Sequence, residues 1–142
     1  MLYFDTSYIV RLYTRDPGWD RVRELAATDA IACCLHGRAE ATAAFHRKFR
    51  EGSISRRELS DLLAEFERDC QAGAFDWLAL SPAVIDRVVA SFAGLPATVH
   101  LRAGDALHLA CAAENLHKNV HSNDVRFLGA AVHFGLKAVN VV

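Results

Sequence analysis

Residues 101–113 read LRAGDALHLACAA. Small and apolar side chains fill nearly every position, which predicts a helix over about Leu101–Leu116 covered by protein on most sides. One residue breaks that pattern. Asp105 falls near the start, beside Gly104, and helical spacing sets Leu101, His108, Leu109 and Ala112 along its face. The carboxylate gains from the positive end of the helix dipole. Burying it without a partner nevertheless costs more than the dipole returns.

Working outward, the chain alternates short apolar runs with helical stretches. Met1–Phe4 reads as a strand that ends at Asp5-Thr6-Ser7, a cap-like turn into a helix over Tyr8–Tyr13. Asp16-Pro17-Gly18 breaks that helix, and Trp19–Ala27 continues as another. Ala30–Cys34 is a second strand, followed by a helix over Gly37–Arg50. Ser55-x-x-Glu58 has the form of a capping box, and Leu59, Leu62, Leu63, Phe66 and Cys70 keep helical spacing behind it. Phe75–Leu80 is a third strand, and Ser81-Pro82 opens a helix to about Phe92. Asn119–His121 is a fourth strand, Asp124–Phe134 a helix stopped by Gly135, and Lys137–Val142 a fifth strand. Strands alternating with helices predict one α/β domain over residues 1–142, with a mainly parallel sheet of about five strands flanked by helices.

Composition narrows the class. The chain has 142 residues, 52% of them hydrophobic, and a net charge of −1, so no global basic field announces nucleic acid or membrane. Positive charge is concentrated locally in Arg38, Arg47, Lys48, Arg50, Arg56 and Arg57. Cys33, Cys34, Cys70 and Cys111 show no metal or disulfide spacing and read as reduced thiols of a cytoplasmic protein. No stretch approaches the roughly 18 apolar residues of a membrane span, and the N-terminus lacks the features of a signal peptide.

Asp105 has company. In a parallel sheet, ligands bind beyond the carboxyl ends of the strands, where the strand order reverses. Asp5 follows the first strand, Asp124 follows the fourth, and Glu40 lies early in the helix after the second. Gathered together, the four acids repel unless cations neutralise them. Mg²⁺ or Mn²⁺, held by a few carboxylates and several waters, answers that need. Such a site can activate water and clamp a phosphate. Singly, Asp5 and Asp124 read as helix caps and Glu40 as a dipole partner. No Walker A sequence is present.

With those residues in place, the sequence resembles the PIN-domain ribonucleases, and within them the VapC-type toxins of toxin–antitoxin pairs. The resemblance runs through LYFDTSYIVRLY (2–13), RAEATAAFHR (38–47), LRAGDALHLACAA (101–113) and VHSNDVRFLGAAVHFGL (120–136). It implies a PIN fold and a metal-dependent endoribonuclease with Asp5, Glu40, Asp105 and Asp124 as the acidic site. Asp5, Asp105 and Asp124 would hold one Mg²⁺ or Mn²⁺, or two, with Glu40 acting through water or orienting the nucleophile. Thr6, Ser7 and Ser122 fall where supporting hydroxyls stand. The implied reaction is attack of a metal-activated water on RNA, leaving a 5′-phosphate and a 3′-hydroxyl. The implied partners are the RNA substrate, a VapB-like antitoxin and a second copy of the chain, the segment Phe45–Phe66 suiting the protein contacts.

Alternatives are a PIN nuclease of RNA processing, or a module that binds antitoxin or operator complex without turnover. A haloacid-dehalogenase-type phosphatase needs an Asp where Ser7 stands, and a response-regulator receiver needs its Asp after the third strand, whereas Asp76 lies inside it. His108 reads as a packed histidine ahead of a general base. The basic stretch from His46, with Arg11 and Arg15, could grip phosphates or simply be solvated. Trp19 could stack on a base, and Trp77 belongs rather to the core.

Overall fold

Five parallel strands form the middle of the molecule, and the computed structural model describes them with all other residues from Met1 to Val142. β1 (Leu2–Tyr3), β2 (Ile31–Cys34) and β3 (Phe75–Leu78) pair in that order, with Tyr3 opposite Ala32 and Cys33 opposite Trp77. β4 (Asn119–His121) pairs with β5 (Lys137–Val139). A single parallel bridge between Phe4 and His121 joins the two groups, reinforced by the Asp5 N–H donating to the His121 carbonyl. The order is therefore β3-β2-β1-β4-β5. Strand order reverses between β1 and β4, and the first and last of the four acids sit at that reversal.

Helices cover both faces: α1 (Thr6–Tyr13), α2 (Trp19–Ala26), α3 (His36–Arg50), α4 (Arg56–Gln71), α5 (Pro82–Gly94), α6 (Ala103–Glu114) and α7 (Val125–Ala130). The strands supply two cores by alternation. Tyr3, Ala32 and Cys34 point toward α6 and α7, where Ala106, Leu109 and Ala110 of the first and Phe127 of the second are fully buried. Phe4, Ile31 and Cys33 point the other way, onto Tyr8, Ile9, Phe45 and Phe66. β2 is buried along its whole length, as expected of a central parallel strand read as a continuous apolar run.

The local signals act as chemistry requires. Ser55 and Glu58 close a complete capping box on α4, Ser81 caps α5 ahead of Pro82, and Gly135 takes a left-handed conformation (φ 73°) after a 3-10 turn. That turn, Ala131–Phe134, splits the single helix expected over Asp124–Phe134. β5 and β3 end two to three residues earlier than the apolar runs suggest. All four cysteines are free thiols.

The mixed apolar and charged segment Phe45–Phe66 gives much of its apolar side to the core. Phe45, Leu59 and Phe66 are consumed by the core, because α3 and α4 pack on one another and on α1. Apolar side chains are exposed instead on α5, at Ile85, Val89 and Phe92, four and three residues apart on one helical face. No helix is long and apolar enough to cross a membrane.

Candidate metal-dependent active site

Asp5 leaves β1 and caps α1, its Oδ1 accepting from the Tyr8 N–H (3.1 Å) and the Ser7 hydroxyl (2.7 Å). Its second oxygen accepts from the Ser122 hydroxyl, which reaches across from the end of β4. Ser122 is fully buried and Asp5 nearly so. Burial pushes the Asp5 carboxyl up from its ordinary range, while the Ser122 and Ser7 hydroxyls pull the other way. Asp124 caps α7 through Oδ1 alone, which accepts from the Arg126 and Phe127 N–H groups. Its Oδ2 has no protein donor, so one oxygen can cap while the other faces a ligand. The Asp124 N–H in turn donates to Ser122 Oγ at 2.9 Å. Ser122 thus ties the two acids at the strand-order reversal to each other.

Asp105 sits in the first turn of α6, half buried and without a hydrogen-bonded cap before it. Burial and then the neighbouring charge of Asp124 raise its pKa. A half-buried carboxyl whose ionisation a neighbouring carboxylate opposes is the donor chemistry a divalent cation relieves. The four acids line one open groove of about 1450 Å³, together with Thr6, Ser7 and Asn123.

Glu40 behaves differently. Although burial opposes its charge, hydrogen bonds from His108 and Thr6 hold its carboxyl down at about 2. The Thr6 hydroxyl donates to Glu40 Oε2, and His108 Nε2 stands 3.0 Å from the same oxygen. His108 is 2% exposed, and the Tyr3 hydroxyl stands 3.1 Å from its Nδ1. Accepting from Tyr3 at Nδ1 and donating to Glu40 from Nε2 satisfies both contacts. His108 is thus packed, but it also fixes an acid of the groove. Gly104 leaves room for that carboxylate, since a Cβ there would stand 2.9 Å from Glu40 Oε1.

Two further residues were not assigned roles from the sequence. Asn123 accepts from Arg11, which also donates to the Ser7 carbonyl, and so ties the loop after β4 to α1. His36 lies one turn before Glu40 on α3, and its ring is tilted against that of His108 with centroids 4.2 Å apart. The pairing His36-x-x-x-Glu40 is visible as an i, i+4 spacing; the meeting with His108 is tertiary.

The basic stretch divides. Arg38 is paired with Glu67 and Lys48 with Asp16, whereas Arg47 and Arg50 line the groove without an ion-pair partner. Arg15 and Arg23 flank the Trp19 ring at 5.6 and 5.0 Å. Trp77 packs edge-on against Phe66 in the core, as its strand position suggests.

A sequence model described as the PIN domain matches residues 2–132. No curated protein sequence matches the chain. Three solved structures share its fold at low identity. VapBC2 from Rickettsia felis, bound to a DNA fragment from its promoter, is 15% identical with a TM-score of 0.67, covering 99% of this chain and 98% of that one. VapC20 of Mycobacterium tuberculosis, a toxin that cleaves the sarcin-ricin loop, is 14% identical with a TM-score of 0.70, covering 92% and 95%. FitAB bound to the IR36 DNA fragment is 15% identical with a TM-score of 0.73, covering 99% and 94%.

Proposed function

The chain belongs to the PIN domain family, and from that premise we propose that it is a VapC-like, metal-dependent endoribonuclease, the toxin of a toxin–antitoxin pair. The observation that carries the reading is the convergence of Asp5, Glu40, Asp105 and Asp124 on one groove, at the reversal of strand order. Asp5, Asp105 and Asp124 would hold Mg²⁺ or Mn²⁺, with Glu40 acting through water. Such an ion supplies Lewis-acid charge for hydrolysis of a phosphodiester.

The protein's own groups have separable tasks. Ser122, Ser7 and the first turn of α1 orient Asp5 before any substrate arrives. The backbone of α7 fixes Asp124. Glu40, ionised and held by Thr6 and His108, supplies fixed negative charge and orientation, since so weak a base is a poor proton acceptor near neutrality. Asp105 is the stronger base of the two. Arg47 and Arg50 offer unneutralised charge to an RNA backbone along the groove.

The antitoxin reading is supported by the neighbours named for VapBC and FitAB complexes. The exposed apolar face of α5 supports a homodimer. The test is Asp105→Asn, which keeps the side chain's shape and removes its charge. Purified wild-type protein with Mg²⁺ or Mn²⁺ is expected to cleave RNA to 5′-phosphate ends and to arrest growth on induction. Asp105→Asn is expected to lose at least a hundredfold of the cleavage rate at a melting temperature no lower than that of the wild type. Cleavage by Asp105→Asn at the wild-type rate would sink the acidic-site assignment.

A further inference from the structure

We propose that His36, Glu40 and His108 form a second cation site, of two imidazoles and one carboxylate, that selects Zn²⁺ over Mg²⁺. One ligand atom from each of the three lies within 4.8 Å of the other two. His108 Nε2 is 3.0 Å from Glu40 Oε2, and His36 Nε2 is 3.7 Å from Glu40 Oε1. Ligand atoms around a tetrahedral Zn²⁺ with bonds of about 2.0–2.2 Å stand roughly 3.3–3.6 Å apart. Those two distances run to different oxygens of the Glu40 carboxylate, and all three ligand atoms lie within 4.8 Å of one another, so the carboxylate must turn and the rings draw together to close on one ion.

The surroundings fit a ligand set. The Tyr3 hydroxyl stands at the far nitrogen of His108, and with Nε2 on a metal the Nδ1–H can donate to it. His36 Nε2 is 3.1 Å from the Gly104 carbonyl, a bond it gives up on coordination. Its Nδ1 is buried and makes no hydrogen bond of ordinary geometry, and the Cys34 thiol lies beside the ring. Moving the ring proton from Nε2 to Nδ1 frees the coordinating nitrogen and turns that orphan into a donor facing sulfur. Gly37 permits the close approach of the rings, because a Cβ there would stand 3.1 Å from His108 Cε1 and 2.6 Å from Cys33 Sγ. The Glu40 side chain is 40% exposed and gives the site its entry from the groove. The Thr6 hydroxyl, which donates to Glu40 and stands 3.0 Å from His108 Nε2, would give way to the ion and to a water as its fourth ligand.

Two imidazoles favour a late first-row ion over Mg²⁺, whose preference is for oxygen. The site is distinct from the pair Asp105 and Asp124 but shares Glu40 with the acidic groove. Its effect on turnover rests on the nuclease reading: Zn²⁺ would draw Glu40 away and slow cleavage. Binding itself does not rest on it and is measured without RNA.

The experiment titrates metal-free protein at pH 7.5 with Zn²⁺ against a chromophoric competitor, in wild type, His36→Gln and Asp124→Asn. The expected result is one Zn²⁺ per chain in wild type, at least tenfold weaker binding in His36→Gln, and a change under twofold in Asp124→Asn. Equal binding by His36→Gln and wild type overturns the proposal. So does a loss in Asp124→Asn as large as that in His36→Gln. Should His36→Gln fail to fold, Co²⁺ added to the wild type gives the answer. Intense visible bands of a four-coordinate ion support the site, and the weak bands of a six-coordinate ion overturn it. Zn²⁺ binding without any RNA cleavage would leave the site standing and remove only the nuclease reading.

Discussion

Ser122→Ala tests the hydrogen-bonded frame independently of any assay for activity. The hydroxyl is fully buried, donates to the Asp5 carboxylate and accepts from the Asp124 N–H. A hydrogen bond to a charged group contributes about 1.5–3 kcal/mol, and a backbone N–H left without a partner costs about 1 kcal/mol or more. The N–H is only partly buried, so water can answer some of that second loss. Together the substitution should cost roughly 2–4 kcal/mol, a large part of the roughly 5–15 kcal/mol that keeps a domain folded. Urea unfolding followed by circular dichroism reads this directly. With a slope on the order of 2 kcal/mol/M, the midpoint should fall by on the order of 1–2 M at unchanged slope. Removing the donor also makes Asp5 harder to ionise, so the acid limb of any cleavage profile should move to higher pH. A midpoint shift too small to resolve would refute the reasoning, because it would mean that Ser122 holds neither acid.

Two further substitutions separate site from scaffold. Gly104→Ala places a methyl group 2.9 Å from Glu40 Oε1, so the carboxylate must turn, which disturbs the bonds its Oε2 makes with Thr6 and His108. The cleavage rate should drop at least tenfold while the melting temperature changes little; a fully active Gly104→Ala enzyme would show that Glu40 need not stay where it is. Ser55→Ala removes the side chain that caps α4, far from the groove, and should cost about 1 kcal/mol in urea unfolding with cleavage unchanged.

Much of this arrangement can be read from the chain before folding. The cap signals at Ser55, Ser81 and Gly135 are local, and each depends on a few adjacent residues. Asp105 is visible as an acid on an apolar helix because the conflict lies within one turn. Asp5 and Asp124 are harder, since a cap and a ligand look the same in sequence. The structure makes the two readings compatible for Asp124, where one oxygen takes both amides and leaves the other free. His36 is out of reach of such reading. Its partner His108 comes from another helix, and only the packing of α3 and α6 against the end of β2 brings the rings together. The Phe45–Phe66 segment is hard to read for a related reason. An amphipathic helix shows that it has an apolar face, but not whether its own chain already covers that face.

The acids also predict an opposed pH dependence in metal-free protein. Glu40 has a folded value of about 2 against an ordinary 4.5, so between those values the unfolded chain binds more protons. Stability from Glu40 therefore rises with pH through that window and is lost as pH falls toward 2. Asp5 and Asp105 are raised from an ordinary 3.8, so above it the folded chain binds more protons. Their contribution is present below that value and is lost as pH rises through their folded values. With EDTA present, the urea midpoint should climb on leaving strong acid and then decline as Asp5 and Asp105 ionise. Glu40→Gln should remove most of the climb, and Asp5→Asn should flatten the decline while preserving the cap through its amide oxygen. Mg²⁺ or Mn²⁺ in place of EDTA should also flatten the decline, because a cation lets the acids ionise without the cost of burial and mutual repulsion. If the decline persists unchanged in Asp5→Asn and is indifferent to the cation, the buried acids are not the source of it. The charge frustration from which a metal site is proposed in this groove would then have to be sought elsewhere.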